Sequence, residues 1–259
     1  MINLYLRQSD ITYSRRFVET LMDAGFILTR RNRFKRSGIV LNHGNGEPIS
    51  VADNVRRLYV INKPSYIYKC SNKLTNYNIL PDYYPYTTSN WRDVDDFPII
   101  AKPFSGHHGY GMKVLHDFDE LYNFVRRHPS RYLYQKLIPI RHEYRFNVFD
   151  GEVYQVSRKE RIDEINSQGS DFKYNSIGMG ANISDRFWDY VNEIIEDFDS
   201  NVGSALGHYG IDIIKGTNKK YYMCEMNTAC GLGEYTVDKL LEVLNKKFDN
   251  GNLEKYRVR

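Results

Sequence analysis

Cysteine is scarce. Cys70, Cys224 and Cys230 are the only three in 259 residues, too few and too irregularly placed for a disulfide framework or a four-ligand zinc site, so a reducing cytoplasm is the expected compartment. Long apolar runs are missing too. None approaches the roughly 18 residues that cross a bilayer, and Met1 to Asp10 alternates polar and apolar residues instead of setting a basic stub before an apolar block. Secretion and membrane insertion are therefore not expected. Neither sign of charge dominates, with 36 Lys and Arg against 32 Asp and Glu and a net charge of +4. The chain has no internal repeat and no low-complexity tract. It also lacks the phosphate loop that ends in Lys-Ser/Thr, a glycine turn running directly into a helix, and any convincing Ser/His/Asp or Cys/His constellation. P-loop, Rossmann and nucleophile-based chemistry are thereby set aside.

What remains is an ordinary globular composition, 41% hydrophobic and 26% charged, long enough for one large domain or two to three small ones. Tyrosine is abundant at 22 residues, many between Tyr59 and Tyr86, and composition alone assigns it no role. The mild basic excess is local: Arg30, Arg31, Arg33, Lys35 and Arg36 fall in one short stretch near Phe26 and Phe34. A solvated loop between two strands is the simpler account of it, and a contact surface for an anionic macromolecule is the other. No nucleic-acid-binding signature accompanies it.

Ile2 to Leu6 alternates as a strand does, and Phe17, Val18, Leu21 and Met22 recur at helical spacing up to Gly25. Phe26 to Leu28, Ile39 to Leu41 and Leu58 to Ile61 are short apolar runs. Together these predict a small α/β unit with a largely parallel sheet, ending near Pro64. A helix carrying Lys73 and a Tyr- and Pro-rich connection follow. Beyond Trp91 the pattern reads strand (Phe97 to Lys102), glycine-rich loop (Ser105 to Gly111), strand (Met112 to Leu115), helix (Phe118 to Arg127) and strand (Tyr132 to Ile138). Next comes a hairpin, Glu143 to Phe149 and Glu152 to Arg158, about Asp150-Gly151, which supplies the positive φ of a type I′ turn. A long helix from Asp185 to about Leu206, strands at Tyr209 to Lys215 and Lys219 to Asn227, and a helix from about Thr236 to Lys247 complete the chain.

Three of these segments could carry chemistry. A two-residue turn pairs Phe149 with Glu152 and, counting back, Glu143 with Arg158, with Arg145 on their face. Such a surface suits phosphates or a carboxylate substrate, although on this hairpin alone a salt-bridged, solvent-facing sheet is the simpler reading. In Tyr221 to Asn227, Glu225 and Asn227 point to one face and Cys224 and Met226 to the other. Asp212, set between Ile211 and Ile213, falls opposite Glu225 if the intervening loop is even-numbered. Two carboxylates and an amide oxygen make a hard-oxygen site that suits magnesium, which completes its octahedron with water and substrate phosphates. In Lys102-Pro103-Phe104-Ser105-Gly106-His107-His108-Gly109-Tyr110-Gly111, the glycines let consecutive N–H groups approach phosphate, as a flap between two strands over a nucleotide. Adjacent histidines share one metal poorly, so His107 and His108 read as loop residues near the phosphates.

The ordered set Lys73, Lys102-Pro103 with the Ser105 to Gly111 loop, Tyr134 to Ile138, Glu143-Tyr144-Arg145, Arg158, Asn175, Asp212 and Glu225-Met226-Asn227 resembles the ATP-grasp carboxylate–amine ligases. It is most similar to the subgroup of ribosomal-protein glutamate ligases and glutathione synthetases, and the resemblance runs from about Asn62 to Tyr235. It implies an α/β protein of α+β lobes with the ATP-grasp fold, two lobes gripping ATP between antiparallel sheets. Residues 1–64 would form a small N-terminal α/β domain and 65–259 the ATP-grasp domain, with a flap lobe at about 91–138 and a metal-binding lobe at about 139–259. Lys73, Lys102, Ser105, Gly106, His107, His108, Gly109 and Gly111 would meet the ATP phosphates, and Gln135, Lys136, Leu137 and Ile138 the adenine. Asp212, Glu225 and Asn227 would hold one or two Mg2+, with Mn2+ as a substitute. Arg145, Arg158 and Asn175 would act on the transferred phosphoryl or acyl phosphate.

The implied activity is an ATP-dependent, ADP-forming ligase that joins a carboxylate to an amine of a small molecule, peptide or protein through an acyl phosphate. The alternatives are an ATP-grasp phosphotransferase or a catalytically silent ATP-binding regulatory module, in a cytoplasmic monomer or homodimer. Two departures stand out. Gln135 occupies a position where the family often has glutamate, and Asp171 to Gly178 carries Lys173 but lacks the arginines common around this asparagine in ribosomal-type ligases.

Overall fold

The structure is a computed structural model that describes residues 3–7, 19, 21–106, 110–129, 131–161, 172–176, 183–202, 206–230, 234–251 and 253–258. Its first unit contains β1 (Asn3–Arg7), β2 (Phe26–Thr29), β3 (Arg33–Phe34), β4 (Gly38–Asn42), β5 (Ser50–Val51) and β6 (Leu58–Ile61). Four of these form the expected parallel sheet, in the order β2-β1-β4-β6. Every residue of β4 and β6 is buried, as in a sheet covered on both faces. Ile39, Leu41, Tyr59 and Ile61 pack with Val237, Leu240 and Leu244 of a C-terminal helix, Glu234–Asp249. Val40, Leu58 and Val60 face the other way, onto Phe34. The end of the chain returns to the same sheet: Val258 donates its N–H to the Leu58 carbonyl at 2.9 Å. Within the predicted Phe17 to Met22 helix, Glu19 and Leu21 to Asp23 are helical, and its other residues lie outside the described set.

Two short helices follow, Pro64–Cys70 and Lys73–Ile79. Asn72 caps the second by accepting from Leu74 N and Thr75 N at 2.9 and 3.2 Å, which starts that helix at Lys73. The second sheet holds β7 (Thr87–Thr88), β8 (Ile99–Pro103), β9 (Lys113–Leu115) and β10 (Tyr132–Lys136) in the antiparallel order β7-β10-β8-β9. Its core is shared with the helix Phe118–Arg127. A reciprocal cap opens that helix: Asp117 accepts from Glu120 N at 2.8 Å, and the Glu120 carboxylate accepts from His116 N at 2.9 Å.

The third sheet is antiparallel, ordered β13-β12-β11-β14-β15, from β11 (Ile140–Phe149), β12 (Glu152–Arg161), β13 (Phe172–Ser176), β14 (His208–Gly216) and β15 (Tyr221–Asn227). One face packs on the helix Asp185–Val202 through Tyr144, Phe146, Val156, Ile211, Ile213 and Met226. The opposite face carries Glu143, Arg145, Asn147, Ser157, Lys159 and Asp212, all buried. Among the described residues no helix is long and apolar enough to cross a membrane.

Candidate active site

Strand pairing places Asp212 directly opposite Glu225 and Arg145 opposite Asp212. The expected common face for the two carboxylates and Asn227 is therefore what the fold builds. The Asn227 amide donates to both carboxylates, to Asp212 Oδ2 at 3.1 Å and Glu225 Oε1 at 3.3 Å. The positively polarised NH2 group thus sits between two anionic oxygens, where a cation would sit, and turning the amide over would present its oxygen instead. This donor chemistry fits a hard divalent ion. No group of three His, Cys, Asp or Glu that could hold a metal occurs among the described residues, so such an ion would need water or phosphate to fill its shell.

Asp212 is fully buried and doubly paired. Arg145 grips it in a fork, Nε to Oδ1 at 2.6 Å and Nη2 to Oδ2 at 2.7 Å, and Lys159 Nζ reaches Oδ2 at 2.5 Å. Burial alone would raise this carboxyl, but Arg145 and Lys159 together hold it well below the usual carboxylate range. Lys159 also bonds Glu143 Oε1 at 2.7 Å.

Lys159, and not the expected Arg158, is the residue opposite Glu143. The turn is as expected, with Asp150 and Gly151 at φ 53° and 78° and Phe149 opposite Glu152. A register shift between Asn147 and Val148, however, leaves Glu143 opposite Lys159 and Tyr144 opposite Arg158. One extra residue in β12 inverts the facing of everything beyond it. Arg158 accordingly belongs to the Tyr144 side of the sheet, and Asn175 of β13 is in register with it. A second irregularity, between Asp212 and Ile213, corrects another expectation. Met223 joins Met226 in the core, while Cys224 Sγ lies 3.7 Å from Lys102 Nζ.

Both candidate phosphate lysines reach this place. Lys73, whose N–H binds the Phe104 carbonyl at 2.7 Å, extends Nζ to the Gly106 carbonyl at 2.9 Å and to within 3.8 Å of Glu225 Oε2. Lys102 Nζ bonds Gln135 Oε1 at 2.6 Å, and Gln135 Nε2 donates to Thr87 Oγ1 at 2.9 Å. The Gln135 side chain is thus turned inward as a neutral partner for Lys102. The Lys136 ammonium instead pairs with Asp96 at the surface.

The main-chain N–H groups of Lys136 and Leu137 are taken by Tyr86 O and Pro98 O at 2.9 and 3.0 Å. No main-chain partner meets the Ile138 N–H among the described residues. Ser105, Gly106 and Gly111 are exposed, with φ of 151° and 75° at the two glycines; His107, His108 and Gly109 lie outside the described residues. Lys159 and Thr87 are the residues of this site that the sequence does not mark. The first was hidden by a one-residue bulge, and the second carries no local signal.

Cys230 and Cys70 are packing residues. Burial pushes their thiols up to about 12 and about 11, away from the reactive thiolate.

No family model and no curated sequence matches the chain, so likeness to known proteins rests on structure. The ligase PsnB, solved with a phosphomimetic variant of its minimal precursor, Mg and ADP, superposes with a TM-score of 0.62 at 16% identity over 95% of this chain and 98% of that one. The fold is that of the ATP-grasp ligases. N5-carboxyaminoimidazole synthetase from Staphylococcus aureus, complexed with ADP, gives 0.61 at 12% identity over 91% and 72%. D-alanine–D-alanine ligase from Bacillus anthracis gives 0.60 at 14% over 96% and 97%. In the ATP-grasp arrangement of this chain, Lys73 and Lys102 approach the carboxylate face of the third sheet from the glycine-loop side.

Proposed function

We propose that this chain is an ATP- and magnesium-dependent ligase that joins a carboxylate to an amine through an acyl phosphate, releasing ADP and phosphate. The observation that carries the reading is the convergence of Asp212, Glu225 and Asn227 with Lys73, Lys102, Arg145 and Lys159 at the junction of the two antiparallel sheets. A substrate carboxylate oxygen attacks the γ-phosphorus and the bond to ADP breaks. An amine then attacks the acyl carbon, phosphate leaves, and the amine nitrogen gives up a proton. Positioning and charge neutralisation supply most of this catalysis.

In this reading Lys73 and Lys102 orient the phosphates under the Ser105, Gly106, His107, His108, Gly109 and Gly111 loop. The Gln135 to Ile138 segment lines the adenine, with the Ile138 N–H as its available donor. Arg145 steadies the transferred phosphoryl group, and Lys159 joins it in place of Arg158. Asn175 stays a candidate through its strand position beside Arg158. Asp212, Glu225 and Asn227 hold Mg2+, or Mn2+ in its place, which supplies Lewis-acid neutralisation of phosphate charge.

The test is ADP and phosphate release from ATP and magnesium over a panel of carboxylates, amino acids, peptides and amines, with wild type against Glu225→Ala. Release that requires one substrate pair and is lost in the variant is the expected result. Phosphoryl transfer without amide formation would replace the ligase by a phosphotransferase, and nucleotide binding with identical behaviour in the variant would refute the metal site.

A further inference from the structure

The first 64 residues hold eleven Lys and Arg against five Asp and Glu, while the other 195 hold 25 against 27. All of the protein's basic excess therefore lies within the first 64 residues of the sequence. Arg31, Arg33, Lys35 and Arg36 form its densest part. All four are exposed, and no carboxylate pairs with any of them among the described residues. The two aromatics beside them are not surface groups. Phe26 and Phe34 are both about 3% exposed, and Phe34 packs edge-on against Tyr5.

The place of this strip in the fold gives it meaning. It begins just past the C-terminal end of β2, on the side of a parallel sheet where ligands gather. Arg7, at the same end of β1, is fully buried and ties the strip to the next loop: Nε donates to Arg31 O at 3.1 Å, and Nη2 donates to Asn32 Oδ1 at 2.5 Å and Glu47 O at 3.0 Å. That loop is in turn joined to the segment after the candidate metal strand, since Gly44 N donates to Thr228 O at 3.1 Å and His43 Nε2 meets Cys230 O at 2.8 Å. A continuous hydrogen-bonded bridge thus runs from the reacting end of β15 to the basic strip.

We infer that Arg31, Arg33, Lys35 and Arg36 form a docking surface for an acidic polypeptide that delivers its carboxylate or amine to the candidate site. The inference rests on the ligase reading above and deepens it by naming a substrate class. Guanidinium groups match carboxylates in two-point contacts, and an unpaired cationic surface steers and retains an anionic chain. Single-stranded nucleic acid would call for aromatic faces on which bases stack, and the aromatics of this strip are inside the core.

The experiment uses the full chain and three variants. Fluorescence anisotropy follows binding of labelled deca-glutamate and of a labelled ten-nucleotide thymidine oligonucleotide at low and high salt, and ADP binding is measured in parallel. Wild type should bind deca-glutamate more tightly than the oligonucleotide and lose affinity as salt rises. The quadruple R31E/R33E/K35E/R36E should bind the peptide at least about tenfold more weakly with ADP affinity unchanged. The milder R31Q/R33Q/K35Q/R36Q should fall between and covers the case in which charge reversal disturbs folding. Equal peptide binding by wild type and both variants would overturn the inference, as would an oligonucleotide bound at least as tightly as the peptide. Wild-type ADP binding that Lys102→Met does not weaken would sink the ligase reading instead, whatever the peptide does.

Discussion

Replacing Lys159 by methionine tests the bulge in β12 most directly, because an uninterrupted hairpin would give its role to Arg158. The Lys159 ammonium is 4% exposed and lies 2.5 Å from Asp212 Oδ2 and 2.7 Å from Glu143 Oε1. Methionine keeps much of the volume and removes the charge, leaving two buried carboxylates with less compensation. Breaking a buried pair by deleting one partner costs about 3–5 kcal/mol, and the remaining Arg145 fork points to the lower end. At roughly 2–4 °C per kcal/mol for a chain of this size, the melting temperature should fall by about 6–12 °C. Arg158→Met, at a half-buried position away from Asp212 and Glu143, should cost less than Lys159→Met.

Acid sensitivity adds a second readout of the same pair. The folded Asp212 carboxyl lies below its unfolded value near 3.8, so the stability it contributes is present above about pH 4 and is lost as the pH falls further. That acid-induced loss should shrink in Lys159→Met. Adding Glu143→Gln to the variant should return part of the lost stability by removing a carboxylate left without its partner. The assay is thermal and urea unfolding of the four proteins. An Arg158→Met penalty equal to or larger than that of Lys159→Met would refute the register.

Thr87→Val leaves the buried Gln135 amide without its acceptor, which should cost about 1–3 kcal/mol and raise KM for ATP through a misplaced Lys102, whereas Thr87→Ser should behave as wild type in both assays. His208 is buried with its pKa lowered to about 3 from 6.5, first by burial and then by His43. The unfolded chain therefore binds the proton first, and stability should decline as pH falls below about 6.5, by about 2 kcal/mol at pH 5. Urea unfolding across that range should give a flatter slope for His208→Asn. Iodoacetamide on the native protein should modify Cys224 ahead of Cys70 and Cys230, and saturating Mg-ADP should suppress the labelling; first modification at Cys230 would contradict the burial described above.

Local chemistry made much of this architecture legible in the chain. Asp150-Gly151 forces a tight turn because both residues sit at positive φ. Asp117 and Glu120 cap a helix whose bounds, Phe118–Arg127, match the expectation. Short apolar runs foretold a small α/β unit with a largely parallel sheet. The facing of Glu225 and Asn227 follows from the two-residue period of a strand, and Asp212 between isoleucines marked a polar residue on an otherwise apolar strand.

Tertiary structure decided what that period cannot. A single extra residue in β12 exchanged Arg158 for Lys159 at the carboxylates, and another in β15 turned Cys224 toward Lys102. Bulges are set by how neighbouring strands pack and twist, and nothing at the bulged residue announces them. Thr87 reaches Lys102 only through Gln135, across two strand pairings. Likewise the Glu234–Asp249 helix and the last residues complete the core of the first sheet. The sequence by itself determined most of the longer elements, the Asp150-Gly151 turn and the residue types of the site, because these depend on neighbours along the chain. Which cation meets which carboxylate was decided by contacts between residues far apart in sequence, which only the assembled sheets bring together.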